Sequence, residues 1–429
     1  MTPLASCITL LLATHGLSQG PSSDARTYLD KVLDIIEKNS IKREFDFKKM
    51  RADAYEGSKD AKTSVDTYPV IRAALAAIKD GHSFFMEPSM AKTAVSGKAK
   101  TAGLFSLDGV IVQVRPGGPA DRAGVRPRMR IFEVNGKKPA PKQTVMALFR
   151  EVQLKGEPYT IRAGRSERES KVFQLEPADI PLWQLPDGEA IDGRFGYVSV
   201  SGFQGTSEDG TTFATAIQSA LAAADKRELR GWIVDLRANT GGNMFPMIAG
   251  LGPLLGDGKL GSFVFASMRE DWKYENGAAY TVTTRLAEVK SPVKLRQYNL
   301  PVAILTSGYT ASSGEATLIS FLGDKRVRTF GEPTYGVPTG NEAYPLSDGA
   351  MLVLCTCLEA DRTGKTYDSA IPPDVAVKQD WTRYRSAGDP TIAAAKNWIR
   401  SKSPAAGRST DPLQRRWFPN PSIGLNGRP

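Results

Sequence analysis

The chain has 429 residues, 41% hydrophobic and 24% charged, with a formal net charge of +10. That length suggests about three domains at roughly 150 residues each, and the apolar content can fill real cores, so a chain without a packed interior is excluded. With only two histidines and three cysteines no histidine cluster is available to support a metal centre.

In chain order, residues 1–20 read MTPLASCITLLLATHGLSQG, an apolar stretch from Leu4 to Ala13 followed by small residues. This predicts a secretory signal peptide cleaved near Ser18 or Gly20, and with it a periplasmic or secreted location, although no Lys or Arg precedes the stretch. Cys7 comes before the apolar run instead of ending it, which argues against lipidation. No other apolar run is long enough to span a bilayer, so no stable membrane insertion is expected. Residues 24–95 read as a helical region: Tyr28, Val32, Ile35 and Ile36 make one apolar face, and Val70, Ala74 and Ile78 another. His82 follows that second face in Lys79-Asp80-Gly81-His82-Ser83 and is the one imidazole left once His15 is removed with the leader. An imidazole titrates near neutrality, which suits it to deprotonate a serine. A histidine capping a helix end is the equally simple structural reading.

From Arg194 onward strands alternate with helices: Phe195 to Val200, Gly210 to Ala224, Gly231 to Leu236, Met244 to Leu255. This order predicts a mainly parallel sheet with helices packed on it. The strand in GWIVDLRANTGGN (231–243) runs into Gly241 and Gly242, and PVAILTSGYTASSGEATLISFLGDKRVRTFGEPTYG (301–336) reads as a buried strand, a sharp turn carrying Ser312, and a helix. A hydroxyl there lies beside unpaired N–H groups and the positive end of the helix dipole, so the turn can supply both a nucleophile and oxyanion donors. Taken alone, Ser312 or Ser313 reads first as an N-cap. Cys355 and Cys357, two apart on the strand Met351 to Leu358, read as core thiols. Asp389 to Ser401 predicts a capped closing helix, and residues 403–429 a basic, solvated tail; no nucleic-acid motif accompanies the charge, so no nucleic-acid partner is expected.

Together with Gly331-Glu332-Pro333-Thr334-Tyr335-Gly336 and Ile371-Pro372-Pro373-Asp374-Val375, these segments resemble the C-terminal processing (tail-specific) serine peptidases, in family order over roughly 66–400. The resemblance implies an α/β, crotonase/ClpP-like catalytic core over 180–402, Ser312 in Ala311-Ser312-Ser313-Gly314-Glu315 as nucleophile, and oxyanion donors among the amides of Gly241, Gly242 and Ser313. The family's usual lysine base is replaced by Val337, so the base is open between His82, as in the tricorn-type branch, and another lysine, Lys325 or Lys365. That branch implies an orienting hydroxyl, absent at Gly81 with Ser83 as its substitute, and an orienting acid, for which Asp368 is nearest. Glu315 and Asp324 fall near acidic family positions and read equally as structural. Residues 102–175 resemble a small β-rich PDZ domain: Gly103, Leu104, Phe105 and Ser106 correspond to its carboxylate-binding loop, which implies peptide binding. The implied activity is serine endopeptidase action on polypeptides, with no metal or organic cofactor. The other reading is a catalytically silent peptide- or ligand-binding protein of the same fold.

Overall fold

The computed structural model describes residues 22–140 and 143–402, so the expected leader and basic tail lie outside the described residues. Near its start, Ser22 and Asp46 accept hydrogen bonds from Ala25 N and Lys49 N, capping helices Ser23–Asn39 and Phe47–Gly57. The 3.6-residue spacing of Tyr28, Leu29, Val32, Leu33 and Ile36 gives one buried stripe, which packs on Met50, Ala54, Ile71, Leu75 and Ile78. Leu352 and Leu354, from strand Met351–Asp361, belong to the same core, so these helices are seated on a sheet. Asp348 pins them there by accepting from the hydroxyls of Tyr28 (3.0 Å) and Tyr68 (2.7 Å).

The region 24–95 is not wholly helical. Helix Tyr68–Ile78 ends at Lys79 in the left-handed region (φ 56°), Gly81 turns again (φ 72°), and strand Phe84–Met86 pairs antiparallel with Met351–Val353. His82 is thereby delivered to the edge of an antiparallel eight-stranded sheet centred on Met351–Asp361. Residues 104–175 carry an antiparallel five-stranded sheet with helix Val145–Lys155 across it, around Leu104, Ile111, Ile131, Phe149, Ile161 and Leu175.

The second large sheet has six strands in the order Val375–Ala376, Val327–Gly331, Val302–Thr306, Gly231–Asp235, Phe195–Ser199 and Asp187–Ile191; the first five are parallel and the last is antiparallel. The central strands Phe195–Ser199, Gly231–Asp235 and Val302–Thr306 are buried throughout and mostly apolar because both faces are covered. Helices Ser207–Ala224 and Met244–Leu255 bury Val234, Val302 and Ile304 on one face. Helix Pro390–Lys402 buries Ile233, Ala303, Leu305 and Phe330 on the other through Ile392, Ala395 and Ile399.

Adjacent parallel strands end in loops at one edge, and a buried ion cluster fixes them. Arg237, with no exposed surface, donates from Nε and Nη2 to Asp235 (3.0 and 2.7 Å) and from Nη1 and Nη2 to Asp389 (3.0 and 2.9 Å), and its guanidinium lies over the Tyr384 ring. Burial alone would raise the Asp235 carboxyl, but the adjacent guanidinium more than offsets it, and Asp235 is held below the ordinary carboxylate value. Asp389 also accepts from Thr391 N and Ile392 N, so one carboxylate caps the closing helix and anchors the Arg237 loop. Removing Asp389 leaves Arg237 paired only with Asp235, strips two hydrogen bonds from its buried guanidinium and uncaps the closing helix. Asp389→Ala is therefore expected to destabilise the fold by about 3–5 kcal/mol, read as a lower urea midpoint.

Candidate active site

The strand Val302–Thr306 leaves the sheet through Ser307-Gly308-Tyr309-Thr310, and this turn is bonded to the neighbouring loop. Ser307 Oγ donates to Arg237 O (2.7 Å), Thr310 Oγ1 to Leu236 O (2.9 Å) and Ala311 N to Asn239 O (3.0 Å). Ser312 follows at φ 54°, ψ −122°, at the N-cap position of helix Ser313–Phe321. A serine at positive φ is strained, and such strain persists only where surrounding structure imposes it. A Cβ placed on Gly241 would lie 2.8 Å from Ser312 Cβ, and one on Gly242 1.9 Å from Phe203 O, so only glycines allow the two loops this approach.

The three expected oxyanion donors are not equivalent. Gly241 N–H is committed to Asn239 Oδ1 (3.0 Å), whereas the amides of Gly242 and Ser313 have no protein acceptor among the described residues. The Ser313 hydroxyl donates to Gly242 O and ties those two positions together.

Glu315 organises the turn. Its Oε2 accepts from Ser312 N (2.9 Å) and Val337 N (3.0 Å), and its Oε1 from Thr334 Oγ1 (2.5 Å) and Gly336 N (2.9 Å). Burial raises this carboxyl above its ordinary value while the four donors act in the other direction. Three of the four partners are N–H groups that can only donate, so the pattern favours an ionised carboxylate. Glu359 is also buried, with Oε2 unpartnered among the described residues, and burial followed by the Glu315 charge pushes it well above the ordinary carboxyl range. Neighbouring carboxyls resist joint ionisation, so Glu359 stands neutral beside the charged Glu315.

Val337, 6% exposed, is an apolar contact and not a titrating one: a Cβ on Gly81 would lie 3.7 Å from its Cγ1. His82 comes next to Gly81, and its Nδ1 lies 2.6 Å from Thr339 Oγ1. Asn341 Nδ2 donates to His82 O (3.0 Å), and Asp80 accepts from His82 N (2.9 Å). Burial holds the imidazole below its ordinary value, and the Asp80 charge offsets this only in part. The ring is accordingly neutral at pH 7.

The orienting groups expected from sequence are used elsewhere. Ser83 Oγ donates to Asp80 and accepts from Cys355 N (2.9 Å), holding the strand pairing and not the His82 ring. Asp368 is exposed and accepts from Ser369 Oγ (3.0 Å); among the described residues it makes no hydrogen bond to His82. Thr339 is the hydroxyl on the imidazole, and nothing in a Thr-Gly pair 257 positions from His82 signals that contact. Lys325 and Lys365 are exposed, the latter over the Tyr367 ring. Cys355 and Cys357 are free, buried thiols, pushed up to about 11 and about 12 by burial. Gly103 to Phe105 lead into strand Leu104–Leu107, while Ser106 turns into the small domain, its Oγ 3.4 Å from Met146 Sδ.

Comparison with known proteins places this arrangement. The description "Peptidase family S41" matches residues 194–377 and "PDZ domain" residues 110–154. The region 194–377 is similar to peptidase family S41. It is 26% identical over 362 residues to the carboxy-terminal processing protease CtpA of Bacillus subtilis, covering 82% of this chain and 69% of that protein. It is 32% identical over 189 residues to the nisin-resistance protein of Lactococcus lactis, spanning 43% of this chain and 57% of the relative. Among solved structures, the photosystem II D1 C-terminal processing protease superposes with a TM-score of 0.52 at 20% identity, over 83% of this chain and 94% of that one. A lipoprotein from Streptococcus agalactiae gives 0.55 at 18%, over 93% and 100%. At these identities the structures share a fold: mixed helix and sheet with an S41 peptidase region and a PDZ domain.

The Glu315 bonds generate a direct test. In Glu315→Gln an NH2 group faces two of the four donors, and each donor left without an acceptor costs about 1–3 kcal/mol. The variant is expected to unfold at lower urea by a corresponding amount, whereas Asp368→Asn should leave the midpoint unchanged.

Proposed function

We propose that this chain is an S41-type serine endopeptidase acting on polypeptides, with Ser312 as nucleophile and His82 as general base. The observation that carries the reading is the strained Ser312 turn, closed against Gly241 and flanked by the unpaired amides of Gly242 and Ser313. In the proposed cycle, His82 Nδ1–H donates to Thr339 Oγ1, which leaves the Nε2 lone pair free. Ser312 Oγ attacks the scissile carbonyl as Nε2 takes its proton, and the developing oxyanion is received by the Gly242 and Ser313 N–H groups. The imidazolium returns the proton to the leaving amine, giving an acyl-enzyme. Water, deprotonated by the same nitrogen, then releases the acid and restores the Ser312 hydroxyl.

Thr339 takes the orienting place in this scheme that the sequence assigned to Asp368. Glu315 holds the nucleophile turn and does not exchange protons. The same reading divides the chain into a helical region at 24–95, a PDZ-like peptide-binding region at 102–175 and a crotonase/ClpP-like peptidase core at 180–402. It also puts the protein outside the cytoplasm. What supports peptide recognition is that strand Leu104–Leu107 lies at the edge of its sheet, available for strand addition at Gly103, Leu104 and Phe105. No described helix is long and apolar enough to cross a membrane.

A fluorophosphonate probe is expected to label the protein at Ser312 and to lose that label in Ser312→Ala, because an ordinary serine is unreactive without a base and oxyanion donors. Folded protein that takes no label would return the chain to the silent binding reading.

The pH dependence tests the base. Burial disfavours the imidazolium, so the neutral, proton-accepting form persists to lower pH than for a free histidine. The rate constant kcat/KM should rise through one limb centred below about 6.5 and stay level above it. His82→Ala should lower kcat by about three orders of magnitude or more. A limb in the alkaline range, or a loss of rate in Lys325→Ala or Lys365→Ala, would move the role to a lysine.

A further inference from the structure

The edge of the parallel sheet opposite the candidate active site is basic. Strands Phe195–Ser199, Gly231–Asp235, Val302–Thr306 and Val327–Gly331 start side by side, and three of them are entered through an arginine: Arg194, Arg230 and Arg326. Backbone bonds align these entries, with Arg230 N donating to Arg194 O (2.8 Å) and Val302 N to Arg326 O (2.9 Å). Two loops at this edge are tied together, since Arg296 N donates to Asp225 Oδ2 (2.8 Å) and Gln297 Nε2 to Arg227 O (3.0 Å). Lys226 and Arg227 stand exposed on one loop, Lys294 and Arg296 on the other.

Among the described residues no ion pair engages these four cations, and the acids nearby are taken. Asp324 pairs with Arg326, Asp192 with Lys396 and Arg400, and Asp225 accepts from Arg296 N, which leaves Glu228 as the other carboxylate of the two loops. Lys226 follows the carbonyl end of helix Ser207–Ala224, where a cation is favoured for local reasons. Arg194, Arg230, Lys294 and Arg296 lie at strand entries or in a loop, where no helix end calls for them. Tyr298, 49% exposed, belongs to the same loop, with the Arg326 guanidinium 4.5 Å over its ring. An amphipathic ring beside cations suits the headgroup layer of a bilayer. Helix Pro390–Lys402 ends at this edge too, its Ile399 against Gly231, and the sequence continues from Lys402 with Arg408, Arg415, Arg416 and Arg428 against Asp411.

We propose that this edge docks peripherally on an anionic phospholipid surface, with Lys226, Arg227, Lys294 and Arg296 on the headgroups and Tyr298 between them. Cations spread over four adjacent strand starts, about 15 Å at roughly 4.8 Å per strand spacing, match an extended charged surface better than one small anion. Among the described residues no helix or ribbon projects from the edge to enter a groove, which favours a bilayer over duplex nucleic acid. The same strands run about 15 Å to Ser199, Asp235 and Thr306, where the loops of the candidate site begin, so docking turns that site away from the lipid. This inference does not depend on the peptidase reading.

The test is co-sedimentation of the full chain with vesicles of phosphatidylcholine alone or mixed equally with phosphatidylglycerol. Contact that does not depend on charge, including any through the apolar run from Leu4 to Ala13, contributes equally to both. Binding to the mixed vesicles is expected to be at least about tenfold tighter, and raising salt from about 0.1 M to about 1 M, which shortens the screening length from about 10 to 3 Å, should release it. Changing Lys226, Arg227, Lys294 and Arg296 together to Glu should abolish the preference. Changing the same four to Gln, a milder set whose urea midpoint should match that of the parent chain, should lower it at least about threefold. Reversing Lys31, Lys48, Arg168 and Lys171 to Glu makes an equal charge change on other surfaces and should leave most of the preference in place. Equal losses in the two reversed sets would mean that net charge alone does the binding, and the proposal falls. It falls as well if the preference is missing or survives the loop changes. Tighter binding to duplex DNA than to the mixed vesicles, lost with the same loop changes, would give the edge to nucleic acid instead.

Discussion

The candidate site depends on a single buried carboxylate. Glu315 sits at the third position of the helix that follows Ser312, and its two oxygens accept from Ser312 N, Val337 N, Gly336 N and the Thr334 hydroxyl. An acid in the first turn of a helix normally answers only its own unpaired amides. Here it also gathers a second segment, 334–337, and two residues later that segment offers Thr339 to His82. His82 and Ser312, the proposed base and nucleophile, lie 230 positions apart in the chain, and this carboxylate is where their supports meet. Its desolvation is offset by four hydrogen bonds, which is why a charge can persist there while Glu359 is held neutral beside it.

A second ionic cluster performs the equivalent task for the loop that carries the proposed oxyanion donors. Arg237, Asp235 and Asp389 are fully buried, and the pairing holds the loop that ends in Gly241 and Gly242 against the closing helix. Buried pairs add little net stability over a well-packed apolar alternative, but they fix geometry because either partner alone is strongly disfavoured. The strained backbone of Ser312 and the closely approached glycines are held by this framework: strong bonds lie beneath the site, while the Gly242 and Ser313 amides have no acceptor among the described residues.

The replacement of a lysine by Val337 reads differently once packing is known. An apolar side chain at this position buries against the His82 loop and removes a cation whose presence would further disfavour the imidazolium. Desolvation already keeps His82 neutral, and the Thr339 hydroxyl can fix the tautomer without a carboxylate on the ring. The arrangement therefore favours an uncharged resting base.

The sequence by itself determined the local pieces. Apolar runs such as Val302 to Leu305, the glycine pair Gly241-Gly242 and the small residues around Ser312 specify strand, loop and turn through short-range sterics, and their order implies a parallel sheet. The capped closing helix from Asp389 was legible for the same reason, whereas Gly103 to Ser106, read by resemblance as a carboxylate-binding loop, run into the edge strand Leu104–Leu107. What only tertiary structure decided were contacts between distant residues. Strand Phe84–Met86 has no partner until Met351–Asp361 is in place, so the sequence placed His82 beyond a helix without revealing the strand that follows it. Thr339 meets His82 across 257 positions, and no periodicity reports a hydrogen bond of that kind. Asp368 was chosen by spacing along the chain, but a short hairpin turns it outward to Ser369. Likewise Gly241 and Gly242 look equivalent as letters, yet one amide is consumed by Asn239 and the other has no acceptor among the described residues. Local conformation is set by neighbours in sequence, whereas the pairing of each polar group is set by which groups folding brings within about 3 Å.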